Sequence, residues 1–153
     1  MNRLIRPRPL FVLGGIVAVL AILVPAAGAD ETAKSAAPEA NATKVVAYYF
    51  HGNVRCKTCR AIEAYSEEAI TQGFPNELAS GQLEWRVVNI DETDNKHFLE
   101  DFELVTKSVV LVEYRDDKVV RFENLKLVWQ LVRDKDGFLR YVRNATHEFV
   151  AES

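Results

Sequence analysis

Cys56 and Cys59 are the only cysteines of the 153-residue chain, and two residues separate them. A short apolar run at 45–50 precedes them, and apolar residues recur at helical spacing after Cys56. This places the pair at the N-terminus of a helix, where backbone N–H groups and the helix dipole stabilise a thiolate. The spacing therefore predicts a reactive dithiol.

Accessibility assigns different roles to the two cysteines. Cys56 should lie at the helix tip, where an external disulfide can reach it, and Cys59 should be sheltered one turn deeper. We expect Cys56 to attack as the nucleophile and Cys59 to resolve the mixed disulfide. Arg55 and Lys57 flank Cys56, and their positive charges should stabilise its thiolate.

Three other interpretations of the pair stay open. The first is a structural disulfide, although a four-residue loop stabilises a fold by only about 2 kcal/mol, against about 3 kcal/mol for a 15-residue loop. The second is a site for copper, zinc or arsenite, in which His51 would join the two thiolates. The third is an interaction module in which the pair has no chemical role.

The first 29 residues have the composition of a targeting segment. Three arginines precede the 15-residue apolar run Leu10–Val24, and small residues follow it. Residues 27–29 have the A-x-A form of a signal peptidase site, which predicts cleavage before Asp30. An uncleaved anchor is the alternative, because residues 10–29 are long enough to span a bilayer. Both interpretations predict a periplasmic or otherwise extracytoplasmic domain, with a possible membrane tether in the second.

Residues 30–43 are rich in alanine and lack apolar periodicity, which predicts a flexible linker before one globular domain at residues 44–153. The three arginines before residue 30 leave 16 basic and 22 acidic residues for the remainder, a net charge of −6. Such a mildly acidic domain gives no electrostatic reason to expect nucleic acid as a partner.

The apolar patterns predict alternating strands and helices. Four strands are expected, at Val45–Phe50, Leu83–Ile90, Val109–Tyr114 and Val119–Phe122, and the polar residues 115–118 predict a hairpin turn between the last two. A helix should follow each of the first two strands, and the second helix should carry Phe98, Phe102 and Val105 on one face. A last helical stretch is expected over 125–150, with a break near 134–137. The order β-α-β-α-β-β-α predicts an α/β fold, in which helices flank a central mixed four-stranded sheet.

The acidic residues near these elements receive structural interpretations. Glu63 lies one turn after Cys59 and is expected to be a solvated helix carboxylate. Asp91, Glu92 and Asp94 are expected to cap the helix that follows them and to complement its dipole.

The segment around the dithiol resembles a known bacterial family. Residues Tyr48–Glu63 look like the dithiol segment of a thioredoxin-like family named nitrophenyl compound nitroreductase subunit, ArsF type. The likeness covers essentially all of 44–150 and includes 88–92, 108–112 and 125–132. It implies a thioredoxin fold with a C-x-x-C centre, and a redox partner protein that carries thiols or disulfides. The sequence contains no flavin or nicotinamide fingerprint, so no cofactor besides the redox-active disulfide is expected.

Two features depart from ordinary thioredoxins. Those proteins place a cis-proline before the third core strand, whereas the matching substrate loop here, with Ser108 and Val109, contains no proline. A cis bond without proline costs about 2.5–4 kcal/mol, so this loop should be trans or differently shaped. Thioredoxins also place a buried acid on the first strand, where this chain has Tyr48 and Tyr49. The predicted function is extracytoplasmic thiol–disulfide exchange.

Overall fold

The structure is a computed structural model, and it describes residues 43–153. The predicted targeting segment at 1–29 and the predicted linker at 30–42 lie outside the described residues. Thr43, placed at the end of that linker by composition, is the first residue of a strand. Among residues 43–153, no helix combines the length and the apolar character needed to cross a membrane.

Four strands and five α-helices make up the described chain. The strands are β1 Thr43–His51, β2 Leu83–Asn89, β3 Ser108–Arg115 and β4 Lys118–Asn124. The helices are α1 Lys57–Gly73, α2 Pro75–Ser80, α3 Phe98–Asp101, α4 Val128–Leu131 and α5 Lys135–Ala151. A single 3₁₀ turn, Thr93–Asn95, precedes α3.

The strands form one mixed sheet in the order β2-β1-β3-β4. β1 runs parallel to β2 and antiparallel to β3, and β3 pairs antiparallel with β4. A helical crossover joins the parallel pair, and a tight turn at Asp116 and Asp117 joins the last two strands. Both turn residues have positive φ, as a two-residue hairpin turn requires. The predicted α/β fold with thioredoxin-like topology is confirmed.

Strand β1 is an interior strand of the sheet and is buried on both faces. Val45, Ala47 and Tyr49 face one side and join the larger apolar cluster with residues of α1 and α5. Val46 and Phe50 face the other side and join a smaller cluster that includes residues of α3 and β3. A continuous apolar strand is what a sheet covered on both faces requires.

The boundary between α1 and α2 shows how local sequence sets the helix ends. Helix α1 ends at Gly73, and α5 passes close by, since a Cβ on Gly73 would lie 3.2 Å from the Arg143 Cγ. Pro75 does more than stop α1. It occupies the first turn of the short helix α2, where its missing N–H is not needed. The sequence patterns did not predict α2.

The helix predicted to carry Phe98, Phe102 and Val105 is shorter in the structure than expected. Helix α3 ends at Asp101, and the chain turns at Glu103, which has a φ of 50°. Phe102 is buried as expected, but Val105 is 96% exposed. Leu104 takes the buried position instead. The i, i+4, i+7 pattern failed because the third apolar residue follows a turn rather than a helical step.

An ion-pair network around one buried carboxylate lies at the end of the sheet where β1 begins, and the sequence patterns did not predict it. The Glu113 side chain on β3 is only 3% exposed. Its carboxylate accepts hydrogen bonds from Arg121 Nε at 2.7 Å and from an Arg115 Nη at 3.1 Å. Arg121 also donates to the Phe149 carbonyl and to Glu152, so the network fastens α5 to the hairpin.

Candidate dithiol site

The structure joins Cys56 and Cys59 by a disulfide bond, with their Cα atoms 5.0 Å apart. Cys56 is the N-cap of α1, and its Sγ accepts a hydrogen bond from the Cys59 N–H at 3.1 Å. The pair therefore lies where β1 ends and α1 begins, as the spacing predicted. An N–H group that points at Sγ is the contact that would stabilise a Cys56 thiolate.

The two sulfur-bearing side chains differ in exposure in the expected sense. Cys56 is exposed at the helix tip, whereas Cys59 is 2% exposed and belongs to the buried face of α1. An external thiol or disulfide can therefore approach Cys56 and not Cys59. The assignment of nucleophile and resolver follows from this difference and stays a prediction.

Tyr49 contacts the dithiol segment from the buried side. Its hydroxyl donates a hydrogen bond to the Cys59 carbonyl at 2.7 Å, from a side chain that is fully buried. Burial raises the pKa of the Tyr49 hydroxyl above its ordinary value, and the positive charge of Arg55 opposes that rise. Tyr49 thus remains a neutral donor at physiological pH. From the sequence, this tyrosine was identified only as one of two residues on the strand where thioredoxins have a buried acid.

The loop before the dithiol is fixed by Asp91. The Asp91 carboxylate accepts a hydrogen bond from the Asn53 N–H at 2.6 Å. Gly52 makes this approach possible, because a Cβ there would lie 2.7 Å from an Asp91 oxygen. The predicted capping role of Asp91, Glu92 and Asp94 was wrong, since neither the 3₁₀ turn nor α3 has a side-chain cap, although Asp94 lies in the first turn of the 3₁₀ helix, as expected for a charge that complements the dipole. Asp91, which follows the end of β2, instead contacts the loop that precedes the dithiol.

Arg55 is not free to act on Cys56 alone. One Nη of Arg55 forms an ion pair with the Glu63 carboxylate, and the other lies 3.3 Å from His51 Nε2. The prediction that Glu63 is solvated was wrong, since its side chain is 23% exposed. The chain folds back from Arg55 into α1, and this brings together two residues that are eight positions apart.

Lys57, the other predicted thiolate-tuning residue, has a different environment. It occupies the first position of α1 and is exposed. Among residues 43–153, no carboxylate forms an ion pair with it. The two cations beside Cys56 therefore differ: Arg55 is neutralised by a partner, and Lys57 is exposed to solvent.

His51 lies near the pair, but its ring is engaged elsewhere. Nδ1 is 2.9 Å from the Gly52 carbonyl oxygen, and Nε2 faces Arg55. Within the described part of the chain, no three His, Cys, Asp or Glu side chains cluster in a way that could hold a metal ion. The residues named for the metal alternative are thus not arranged as a ligand set in this structure.

The loop that replaces the cis-proline segment lies beside the dithiol end of β1, because Ser108 is the register partner of Phe50. No peptide bond of residues 43–153 is cis, which matches the expectation for this loop. Ser108 and Val109 are buried, and the Ser108 hydroxyl donates to the Thr106 carbonyl at 2.9 Å. Any side-chain contact with a substrate would fall to the exposed residues just before them.

A shallow groove of about 280 Å³ runs between this loop and the dithiol loop. Its apolar lining includes Val54 and Val105, which are 77% and 96% exposed, and Leu99. Sequence analysis missed these residues as surface candidates. The available signal was Val54, a β-branched apolar residue in the predicted loop before Cys56, whereas Val105 was predicted on a helix.

Comparisons with known proteins found similar solved structures, among them three thioredoxins. No protein-family model matches the chain, and no curated protein sequence matches it. The solved thioredoxin of Fasciola hepatica is 18% identical, with a TM-score of 0.36, over 64% of this chain and 81% of that chain. The thioredoxin of Trypanosoma brucei brucei is 17% identical, with a TM-score of 0.37, over 66% and 79%. Chlamydomonas reinhardtii thioredoxin f2 is 16% identical, with a TM-score of 0.35, over 63% and 82%.

The fold and the site together define a class of protein. The strand order, the strand directions and the disulfide at the N-terminus of α1 are those of a thioredoxin-like protein with a C-x-x-C centre. This arrangement supports thiol–disulfide exchange.

Proposed function

We propose that the protein exchanges thiols and disulfides with a partner protein through Cys56 and Cys59. One observation carries the proposal: the two cysteines are within disulfide distance at a helix N-terminus, one exposed and the other buried. An inert staple needs no such difference in access. It would also contribute little stability across so short a loop, about 2 kcal/mol.

The exchange conserves sulfur atoms and electrons in two steps. In the reducing direction, the Cys56 thiolate attacks one sulfur of the partner disulfide, and the other partner sulfur leaves as a thiolate. The Cys59 thiolate then attacks the Cys56 sulfur, which closes the Cys56–Cys59 disulfide and releases the second partner thiolate. Two electrons pass to the partner. The oxidising direction is the same sequence in reverse.

The narrower affiliation and the location are proposals as well. The resemblance of Tyr48–Glu63 supports membership of the ArsF-type nitroreductase subunit family, although this chain shows no residues for nitro-group reduction itself. The three arginines followed by the apolar run Leu10–Val24 support an extracytoplasmic location. Cleavage before Asp30 would give a mature N-terminus at that residue, which intact-mass measurement of the protein recovered from cells can read.

Trapping of mixed disulfides tests the exchange directly. In the Cys59→Ser variant the second step is blocked, so the free Cys56 should hold a partner as a covalent adduct on a non-reducing gel. The matched Cys56→Ser variant retains only the buried Cys59 and should trap at least tenfold less. Equal trapping by the two variants, or none by either, would contradict the proposed exchange and its assignment of roles.

A further inference from the structure

An ion pair is formed by two residues that flank the dithiol segment. Arg55 immediately precedes Cys56, and its guanidinium contacts the carboxylate of Glu63, which lies one helical turn beyond Cys59. Both side chains are mostly buried, at 28% and 23% exposure, and they line a cleft of about 360 Å³. The segment between the two charges contains both cysteines.

The two charges act on Cys56 in opposite directions. A positive charge beside Cys56 stabilises the thiolate, and a stabilised reduced form makes the pair more oxidising. The negative charge of Glu63, which contacts the Arg55 guanidinium, opposes that effect. Because screening by water is weak for partly buried charges, each of them should reach the sulfur, and together they should nearly cancel.

We propose that Glu63 is a positioning residue that holds Arg55 and cancels its charge, and thereby keeps the reduction potential of the Cys56–Cys59 pair low. This inference rests on the proposed thiol–disulfide exchange. It assigns the flanking cations different effects: Arg55 has little net effect while Glu63 is charged, and Lys57 supplies the unpaired positive charge.

The other charged or titratable groups near Arg55 do not neutralise its charge. Arg60 and Glu67 line the same cleft but are exposed, and neither forms an ion pair among residues 43–153. His51 touches Arg55 through Nε2 and does not contact Glu63. Glu63 is therefore the group whose charge should decide the net field of Arg55.

Equilibrium titrations of the full chain and its variants against glutathione test the proposal. Glu63→Gln leaves Arg55 uncompensated and should make the pair more oxidising by about threefold in the exchange equilibrium, or about 14 mV. Arg55→Gln leaves Glu63 uncompensated and should make the pair more reducing by a similar factor. The double variant should return close to the wild-type value, because it restores a neutral pair.

Glu67→Gln is the matched control, since it removes the same charge from the next turn of α1, about 6 Å further along the axis. It should shift the equilibrium less than half as far as Glu63→Gln. A merely structural role for the ion pair predicts a different result: both single variants would loosen the dithiol loop and shift the potential in the same direction, and the double variant would not recover.

Shifts of the same sign in the two single variants, or no shift in either, would overturn the proposal while leaving the exchange function intact. If the wild-type pair shows no reversible transition with glutathione, the proposed function fails and this inference fails with it. Should Glu63→Gln not fold, Arg55→Gln and the double variant carry the test, because recovery between those two requires compensation.

Discussion

Two Arg–Glu pairs lie at opposite ends of the same sheet, and they differ in how many of their buried polar atoms form hydrogen bonds. Glu113 pairs with Arg121 near the start of β1, where it is held by two arginines. Arg55 pairs with Glu63 beside the dithiol, at the end of β1. Arg121 uses its remaining donors on the C-terminal end of the chain, whereas the buried Arg55 Nε has no hydrogen-bond partner among residues 43–153.

This difference separates a structural ion pair from one placed for chemistry. A buried carboxylate with every oxygen bonded stabilises one arrangement of the elements around it. A buried donor without a partner costs free energy, and such costs are often found at functional sites. We therefore expect changes at Glu113 to affect stability and changes at Glu63 to affect the potential.

The largest expected effect is that of Glu113→Ala. Removal of the buried carboxylate takes away one hydrogen bond from each of Arg121 and Arg115, which are themselves partly exposed, so the free energy of unfolding should fall by about 1.5–3 kcal/mol. Urea unfolding followed by circular dichroism measures the loss. Glu123→Ala, an exposed position on the neighbouring strand, is the control and should change stability by less than about 0.5 kcal/mol. A loss at Glu113 no larger than that of the control would show that the network contributes nothing.

Tyr49→Phe should have the next largest effect, at the dithiol end. It removes the hydrogen bond to the Cys59 carbonyl and should lower the free energy of unfolding by about 0.5–1.5 kcal/mol. Tyr65→Phe is the matched control, because the Tyr65 hydroxyl makes no hydrogen bond within residues 43–153. Equal losses in the two variants, measured by urea unfolding of the oxidised proteins, would argue against a supporting role for Tyr49.

Glu63→Gln should affect stability less, in contrast to its effect on the potential. The pair is about one-quarter exposed, and a glutamine at position 63 can still accept a hydrogen bond from Arg55, so the loss should be about 0–1 kcal/mol. Thermal unfolding of the oxidised variant should therefore show a melting temperature close to that of the wild type. A loss comparable to that of Glu113→Ala would make the two pairs equivalent and would remove the distinction drawn between them.

Tyr114→Phe should have a small effect at neutral pH, where it removes the part-buried hydrogen bond with Tyr48, and a distinct effect in alkali. Burial and a hydrogen bond with Tyr48 raise the pKa of the Tyr114 hydroxyl. Since the unfolded chain loses this proton near pH 10 and the folded chain holds it longer, stability should fall as pH rises above about 10. The variant should show a shallower fall in unfolding measurements from pH 9 to 11. An unchanged slope would contradict the raised pKa.

The sequence predicted the elements that depend on local pattern. Strand β1, the tip position of Cys56 and the hairpin turn all follow from apolar runs and turn residues within a few positions of each other. Helix α3 was predicted too long because the turn at Glu103 has no sequence signal beyond the loss of one apolar match. Local patterns thus located the dithiol and misplaced the loop that faces it.

Side-chain contacts outside regular local spacings could not be predicted from the same patterns. Arg55 and Glu63 are eight residues apart, outside the three- and four-residue spacings that identify helix pairs, because Arg55 precedes α1. The partner of Glu113 was accessible in principle. The predicted hairpin brings Arg121 opposite it, although a shift in register between Glu113 and Tyr114 makes that pairing hard to count from sequence.

The most direct test of the central claim is the wild-type redox equilibrium of the full chain with glutathione, with Cys56 and Cys59 alkylated and the product read by mass. A working exchange pair should show a two-electron transition between about −120 and −270 mV. A pair that stays oxidised well below about −300 mV would be structural and would contradict the account.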